Sequence, residues 1–443
     1  MRLRGDKMAE QANLRLIDPV RDAAAIAEMW NESDLEWPGT WNGGVPAAAR
    51  SIRDWHEREE YTAVYVWAEG EKIGGYCSLV YDKDDDEALY LALLNVSPRF
   101  QGRSIGRRML VRSVERTIED KKTHLDLDTW SGNVKAMAPY KRTGFFWDAE
   151  AWPLMRNYIP AILSMPCTRY FFGRHDWYES LQRSIEQVPD EEEWEGLRVF
   201  TYRFVAQGNR PSSDCGGNAG VAGPGGLTPP SGGAAPAENR EELTVRVDRE
   251  ARQVAAVETA ELSACATVDD IEPVRGGRTT LRWRLQNRKD KPVTFGLTAK
   301  ESGDLSIDFH HRERLGPGET AILEAPVSVS AKAVAVDRDK TAPRVRTSIH
   351  WDDLPIELAT GIRPRVEMTF SVDPGEITLA PGTPQHVCVN LHSQLPDDVE
   401  AQVRLTVSDG LSVDRSAHAV AVPAGGYGGF ETVIEADSQG VFE

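Results

Sequence analysis

Apolar and polar positions follow two textures along the chain, with a change near Gln207. Before it, alternating runs exchange with runs of 3.6-residue period, the signatures of strands and amphipathic helices. Leu14 to Ile17 predicts a strand, Arg21 to Trp30 a helix and Thr62 to Trp67 a strand. The turn Glu69-Gly70-Glu71 then leads to Ile73 to Tyr81, and the acidic turn Asp82 to Asp86 to Ala88 to Val96, which makes a three-stranded meander. Met109, Leu110, Val114 and Ile118 mark a helix from about Gly106 to Asp120. A strand at Leu125 to Thr129 and a second helix from about Asn133 follow, and Arg198 to Val205 alternates like an added sheet strand. This half is expected to be α+β.

Beyond residue 240 the runs are short and alternating: Leu281-x-Trp283-x-Leu285, Val293-x-Phe295-x-Leu297, Val327-x-Val329 and Val403-x-Leu405-x-Val407. Gly and Pro-Gly turns punctuate them, which predicts all-β antiparallel sandwiches. Glu272 to Asn287 and Ile377 to Ser393 share one plan, a Gly turn and then an alternating strand, so two tandem units fit the length. Between the halves, residues 207–239 hold nine Gly, five Pro and no aromatic side chain, too little apolar surface to offset ordering. A flexible linker with a reach of about 30 Å is expected there. The predicted organisation is 9–206, a linker 207–240, a sandwich 241–364 and a second sandwich 365–443. Val441-Phe442-Glu443 reads as mid-strand, so the second is expected to be incomplete at its C-terminal end. Few contacts should cross the linker, and residues 9–206 are expected to fold alone.

Composition narrows the chemistry. The 443 residues carry 51 Lys+Arg against 69 Asp+Glu, a net charge of −18 that argues against nucleic acid as a partner. No apolar run reaches the roughly 18 residues of a membrane span, and the first residues lack a signal-peptide pattern, so a cytoplasmic protein is expected. Five scattered cysteines without a C-x-x-C pair read as reduced thiols, with neither disulfides nor a structural metal implied.

The stretch Leu94-Asn95-Val96-Ser97-Pro98-Arg99-Phe100-Gln101-Gly102-Arg103-Ser104-Ile105-Gly106-Arg107 runs from a strand through small residues into a helix. Unpaired backbone N–H groups and a positive dipole make such a helix start an anion cradle. Its Gln101, Gly102, Arg103, Ser104, Ile105 and Gly106 match the pyrophosphate loop Gln/Arg-x-x-Gly-x-Gly/Ala, with Ser104 where Gly is usual. Downstream, Asn133, Ala136, Tyr140, Gly144 and Phe145 fill Asn-x-x-Ala-x-x-x-Tyr-x-x-x-Gly-Phe without a gap. With these two motifs in order, residues 13 to 206 resemble the GNAT family of acetyl-CoA-dependent N-acetyltransferases.

The resemblance implies acetyl-CoA as co-substrate, no metal, and direct transfer to an amine such as a small molecule or amino sugar. It implies backbone donors at Leu94 and Val96 for the pantetheine arm and thioester, the pyrophosphate at residues 101 to 107, a pantetheine contact from Asn133, and Tyr140 as the acid for the thiolate. Pro139, just before Tyr140, removes a helical hydrogen bond and can turn that hydroxyl elsewhere. Asp128 is the first candidate base, Glu87 the competitor, and His124 reads as an exposed strand-start residue. Trp37, Trp41 and Trp55 either cover an acceptor or pack helices onto the sheet. Phe171, Phe172, Trp177, Tyr178 and Trp194 form a second aromatic group. The β half resembles immunoglobulin-like modules appended to bacterial glycosidases, which implies a binding, spacing or oligomerising role with a protein or carbohydrate partner. His310 and His311, adjacent on a strand, face opposite sides and cannot readily share a metal. The alternative is a non-catalytic acyl-CoA-binding interaction protein.

Overall fold

A computed structural model describes residues 13–34, 45–130, 132–151, 153–184, 190–206 and 241–438. Its first sheet has seven strands: β1 (Leu14–Leu16), β2 (Ala63–Glu69), β3 (Lys72–Tyr81), β4 (Ala88–Val96), β5 (His124–Asp128), β6 (Phe146–Trp147) and β7 (Leu154–Asn157). They lie in the order β1-β2-β3-β4-β5-β7-β6. Only the β4–β5 pair is parallel, and it spans just Ala88 to Tyr90 against His124 to Asp126.

Four helices cover this sheet: α1 (Pro19–Ser33), α2 (Ala49–Arg58), α3 (Ile105–Glu119) and α4 (Val134–Arg142). Asp18 caps α1 by accepting from the amides of Val20 and Arg21, and Ala23, Ile26, Ala27 and Trp30 bury one stripe. α3 buries Ile105, Met109, Leu110 and Val114 on the sheet's other core. α2 was not expected from the sequence. Of its ten residues only Ile52 is buried, so the apolar stripe that would announce a helix is missing.

Short elements follow: α5 (Ile159–Ser164), α6 (Arg169–Phe172), α7 (Trp177–Ser180), β8 (Leu181–Gln182), β9 (Glu192–Trp194) and β10 (Leu197–Val205). β10 corrects one expectation, because it joins a second sheet and not the first. Val199 to Val205 pair antiparallel with Asp248 to Glu242 of β11 (Glu242–Asp248). That sheet continues through β12 (Gln253–Glu258), β13 (Leu262–Val268), β14 (Arg278–Asn287), β15 (Val293–Ser302), β16 (Leu305–Leu315), β17 (Thr320–Val329), β18 (Arg344–Trp351) and β19 (Leu354–Gly361). It folds back on itself around Trp283, Phe295 and Trp351, with Trp283 Nε1 donating to Thr347 Oγ1 at 2.9 Å.

The expectation of few contacts across residues 207–240, which lie outside the described residues, is also corrected. β10, itself paired with β11 from beyond the linker, lies against the first sheet, where Phe146 meets Phe200 at 5.0 Å and Tyr202 at 4.8 Å in tilted contacts. Arg249 reaches Asp148 at 2.6 Å and Glu150 at 3.0 Å, and Arg252 reaches Asp85 at 2.8 Å. Most of these charged groups are buried, so each relies on its partner across the junction.

The C-terminal part has β20 (Met368–Asp373), β21 (Gln385–Ser393), β22 (Val399–Arg404), β23 (Leu411–Val413), β24 (Ala417–Val422) and β25 (Tyr427–Ala436). They form a four-stranded sheet, β20-β21-β25-β23, beside the β22–β24 pair. Val389, Leu391, Val420 and Val422 make its small core. β14 and β21, the strands of the repeated plan, each occupy the interior of a sheet behind a positive-φ glycine, Gly276 and Gly382. In Val403-x-Leu405-x-Val407 the strand ends at Arg404. His310 pairs with Asp308 and His311 with Glu313, as separate contacts. Val441 to Glu443 lie outside the described residues.

Candidate functional site

Past Tyr90, β4 parts from β5 and leaves one edge of its backbone open. A bulge at Ala92 helps to turn it, since Ser78 pairs with Leu93 while Leu79 pairs with Leu91. The amide of Ser97 donates to Gly74 O at 3.1 Å. Strand alternation therefore points the amide of Asn95 at β3 and those of Leu94 and Val96 into the gap. Both residues line a cavity of about 750 Å³.

At the end of β4 a 3-10 turn, Pro98–Phe100, leads into the cradle. Gly102 has φ +77° and Ser104 φ +58°, so the loop needs the left-handed region twice. Ser104 occupies the N-cap position of α3, and its side chain makes no capping bond. The first amides of α3 have no intrahelical partner and face the same cavity as Gln101, Gly102, Ser104, Ile105, Gly106 and Arg107. Arg103 does not line it; its guanidinium pairs with Glu69 and lies 5.1 Å from the Phe100 ring centre. Arg103 is thus corrected from a phosphate ligand to a brace of the loop. At the loop's start Glu32 of α1 accepts from Ser97 Oγ at 3.0 Å and pairs with Arg99 at 2.8 Å.

Across the gap, α4 brings Asn133 and Tyr140 to the cavity. Asn133 Nδ2 donates to Thr129 Oγ1 at 3.1 Å, which fixes its carboxamide. Tyr140 lines the cavity with Pro139 inside the same helix, and its hydroxyl has no hydrogen-bond partner among the described residues. Burial pushes the Tyr140 phenol well above its ordinary range, so it keeps its proton at neutral pH. Gly144, at φ +100°, closes the motif. A Cβ there would come within 2.7 Å of Ile159 Cγ1, so only glycine fits between α4 and α5.

Asp128 ends β5 at the cavity wall. Burial first, and then the charge and hydrogen bond of Asp128, push the Tyr90 phenol up, so this tyrosine stays neutral beside the carboxylate. Glu87 is corrected. It lies outside the cavity lining, gripped by Arg344 at 2.5 Å and Gln253 at 3.0 Å from the second sheet. Burial pushes its carboxyl up, but Arg344 outweighs that and holds it below the usual range. His124 is corrected too: it is fully buried, with Nδ1 2.9 Å from Thr123 Oγ1 and Nε2 3.4 Å from Asp85 Oδ2. Trp55 packs on Trp30 at 5.0 Å, while Trp37 and Trp41 lie outside the described residues. The sequence reading missed Tyr178 of α7 as a lining residue. Its only signal was membership of an aromatic group.

Residues 26–145 match the sequence model of the Acetyltransferase (GNAT) family. That span contains both the cradle and Asn133 to Phe145, and it identifies an N-terminal GNAT-like α+β domain. No curated protein matches the chain significantly. Among solved structures, yncA of Salmonella typhimurium, assigned as an acetyltransferase and solved with its cofactor acetyl-CoA, shares 22% identity. The match covers 33% of this chain and 92% of that one, with a TM-score of 0.29. The ribosomal-protein-alanine N-acetyltransferase of Brucella melitensis shares 19% over 33% of this chain and 98% of its own, with a TM-score of 0.28.

Proposed function

We propose that the GNAT-like domain is an acetyl-CoA-dependent N-acetyltransferase acting on a primary amine, of a small molecule or amino sugar, by direct transfer in a ternary complex. The observation that carries this reading is the convergence on one cavity of an open strand edge, a helix-start cradle and a protonated tyrosine. The family match over the same residues supports it. The open amides of Leu94 and Val96 would hold the pantetheine arm and thioester, the residue 102–107 backbone the pyrophosphate, and Asn133 the arm's amide. Asp128, directly or through water, takes a proton from the ammonium, and the free amine attacks the thioester carbonyl. A C–N bond forms, the C–S bond breaks, Tyr140 gives its proton to the leaving thiolate, and the second proton of the amine nitrogen passes through water to restore the Tyr140 phenol.

The same reading takes 9–206 as the transferase unit, 207–240 as a linker, and 241–364 and 365–443 as immunoglobulin-like units that serve a protein or carbohydrate partner or a homo-oligomer. Among the described residues, no helix is long and apolar enough to cross a membrane. Cys77, Cys167 and Cys265 are buried free thiols, in keeping with a reducing, cytoplasmic setting. The test is an amine panel that follows free thiol on the full chain, run beside calorimetry with acetyl-CoA. Turnover on at least one amine is expected. Binding without turnover on any amine would favour the non-catalytic reading. Gly106→Glu should abolish binding: a Cβ at Gly106 meets only Val96 Cγ2, at 3.7 Å, so the added carboxylate would fill the cradle and not break the fold. Unchanged affinity in that variant would remove the pyrophosphate from this loop.

A further inference from the structure

The gap that frees the β4 amides lies between two half-sheets. β1 to β4 form one, and β5, β7 and β6 form the other. Their strands meet in a ladder of three pairs, Ala88 with His124, Leu89 with Leu125 and Tyr90 with Asp126. The first half carries Leu94 and Val96 and runs on into the cradle. The second carries Asp128 at the end of β5, and α4 with Tyr140 stands between β5 and β6. In the reading above, the thioester contacts and the acid and base therefore stand on opposite sides of this short seam.

The closed end of the seam is braced from the second sheet, by residues outside the span that matches the family. Arg249 to Arg252 form the turn between β11 and β12, and all four are buried. Asp248 fixes the turn by accepting from the amides of Glu250 at 2.9 Å and Gly361 at 2.6 Å. On the β4 side, Arg252 reaches Asp85 at 2.8 Å and Gln253 donates to Glu87 at 3.0 Å. Arg344 ties Glu87 to the same turn, since it also donates to Ala251 O at 2.9 Å. On the β5 side, Arg249 reaches Asp148, just after β6, at 2.6 Å. Asp148 also takes Arg156 of β7 at 3.0 Å, and Arg156 pairs with Asp126 on β5. One buried turn thus grips both halves at the end away from the cavity.

Such a grip acts through leverage. Val96 lies six residues beyond the last ladder pair, about 20 Å along an extended strand. A rotation of about 3° between the halves would move it roughly 1 Å against Asp128, a misplacement that lowers a rate on the order of 10²-fold.

We infer that Arg252 and Arg249 are positioning residues of the acetyl transfer: through this turn the second sheet sets the separation between the bound thioester and the acid and base. The inference rests on the N-acetyltransferase reading and gives the β half a role that partner binding does not require.

Steady-state kinetics on the full chain, with the amine that the panel shows to turn over fastest, test this beside calorimetry with acetyl-CoA and amide hydrogen exchange. Arg252→Gln shortens the side chain so that it no longer spans to Asp85. It should lower kcat about ten- to a hundredfold, keep acetyl-CoA affinity within about threefold, and speed exchange in the β4–β5 ladder. The single change also leaves Asp85 short of a partner, which lowers the thermal midpoint. Asp85→Asn combined with Arg252→Gln removes that unpaired charge, so the midpoint should return toward the parent's while kcat stays low. Arg252→Lys, which keeps the cation, should recover part of kcat. If kcat in the double variant recovers together with the midpoint, or if Arg252→Gln keeps the parent's kcat, the brace serves stability alone and the inference is overturned while the transferase reading stands. If the parent chain turns over no amine, that reading fails and the inference with it.

Discussion

Ser104 sits at φ +58° in the cradle, where a side chain crowds its own backbone and glycine does not. It makes no capping bond in return. Ser104→Gly should relieve strain of about 1 kcal/mol and raise the thermal midpoint by about 2 °C. Differential scanning calorimetry checks this, and a lower midpoint would mean that the serine stabilises the loop in the free protein. Tyr140 makes the opposite case, a residue whose hydroxyl does nothing for the fold. Because burial keeps the phenol protonated and Tyr140 lines the cavity, Tyr140→Phe should lower turnover on the order of 10²-fold. Its acetyl-CoA affinity should stay within about twofold of the parent, since a general acid acts on the transition state and not on ground-state binding. Full turnover in that variant would assign the proton to water.

At the scale of elements, β10 decides how the two sheets are joined. Tyr202 on β10 donates to Gly144 O at 2.9 Å and accepts from the amide of Tyr158 at 2.8 Å, all inside the core. The second sheet thus holds the carbonyl of Gly144, the next-to-last residue of the Tyr140 motif. Tyr202→Phe leaves a buried donor and a buried acceptor unpaired, and should cost about 1–3 kcal/mol, read as a lower thermal midpoint. A midpoint equal to the parent's would mean that water replaces the hydroxyl. Elements were legible in the sequence wherever one face is apolar throughout. α3 announces itself by Met109, Leu110 and Val114, and β4 was bounded to the residue. α2 was not, because it buries only Ile52. β10 shows a different limit: alternation says which face of Leu197 to Val205 is buried, but not in which sheet. In the site, the cradle and Tyr140 were readable because their spacing is local. Glu87 and His124 were misread because their partners, Arg344 and Asp85, arrive from remote segments.

Over the whole molecule, the junction between the two sheets is built from paired charges where an interface of the same depth could have been apolar. Asp148 receives Arg249 at 2.6 Å and Arg156 at 3.0 Å, and both of those guanidinium groups are themselves buried. Burial alone would push the Asp148 carboxyl up, but the two arginines outweigh it and hold its pKa below the ordinary value. The same balance holds at Asp85, through His124 and Arg252, and at Glu87. A carboxylate whose folded pKa is depressed contributes stability that is fully present above its unfolded pKa, about 3.9 for Asp, and disappears as pH falls through the folded value. The junction should therefore be intact at pH 5 to 8 and weaken below about pH 4. Two consequences can be measured. A fragment ending at residue 206 would expose the β10 edge and take Arg249 from Asp148 and Glu150 and Arg252 from Asp85. It is expected to lack the cooperative thermal transition of the full chain, the reverse of what the linker composition implies. Asp148→Asn should lower the thermal midpoint at pH 7 and also flatten the midpoint's fall between pH 5 and pH 3, because the variant has no carboxyl at that position to protonate. If the variant and the parent lose stability in parallel over that range, Asp148 does not set the acid response, and the pairs at Asp85 and Glu87 carry it.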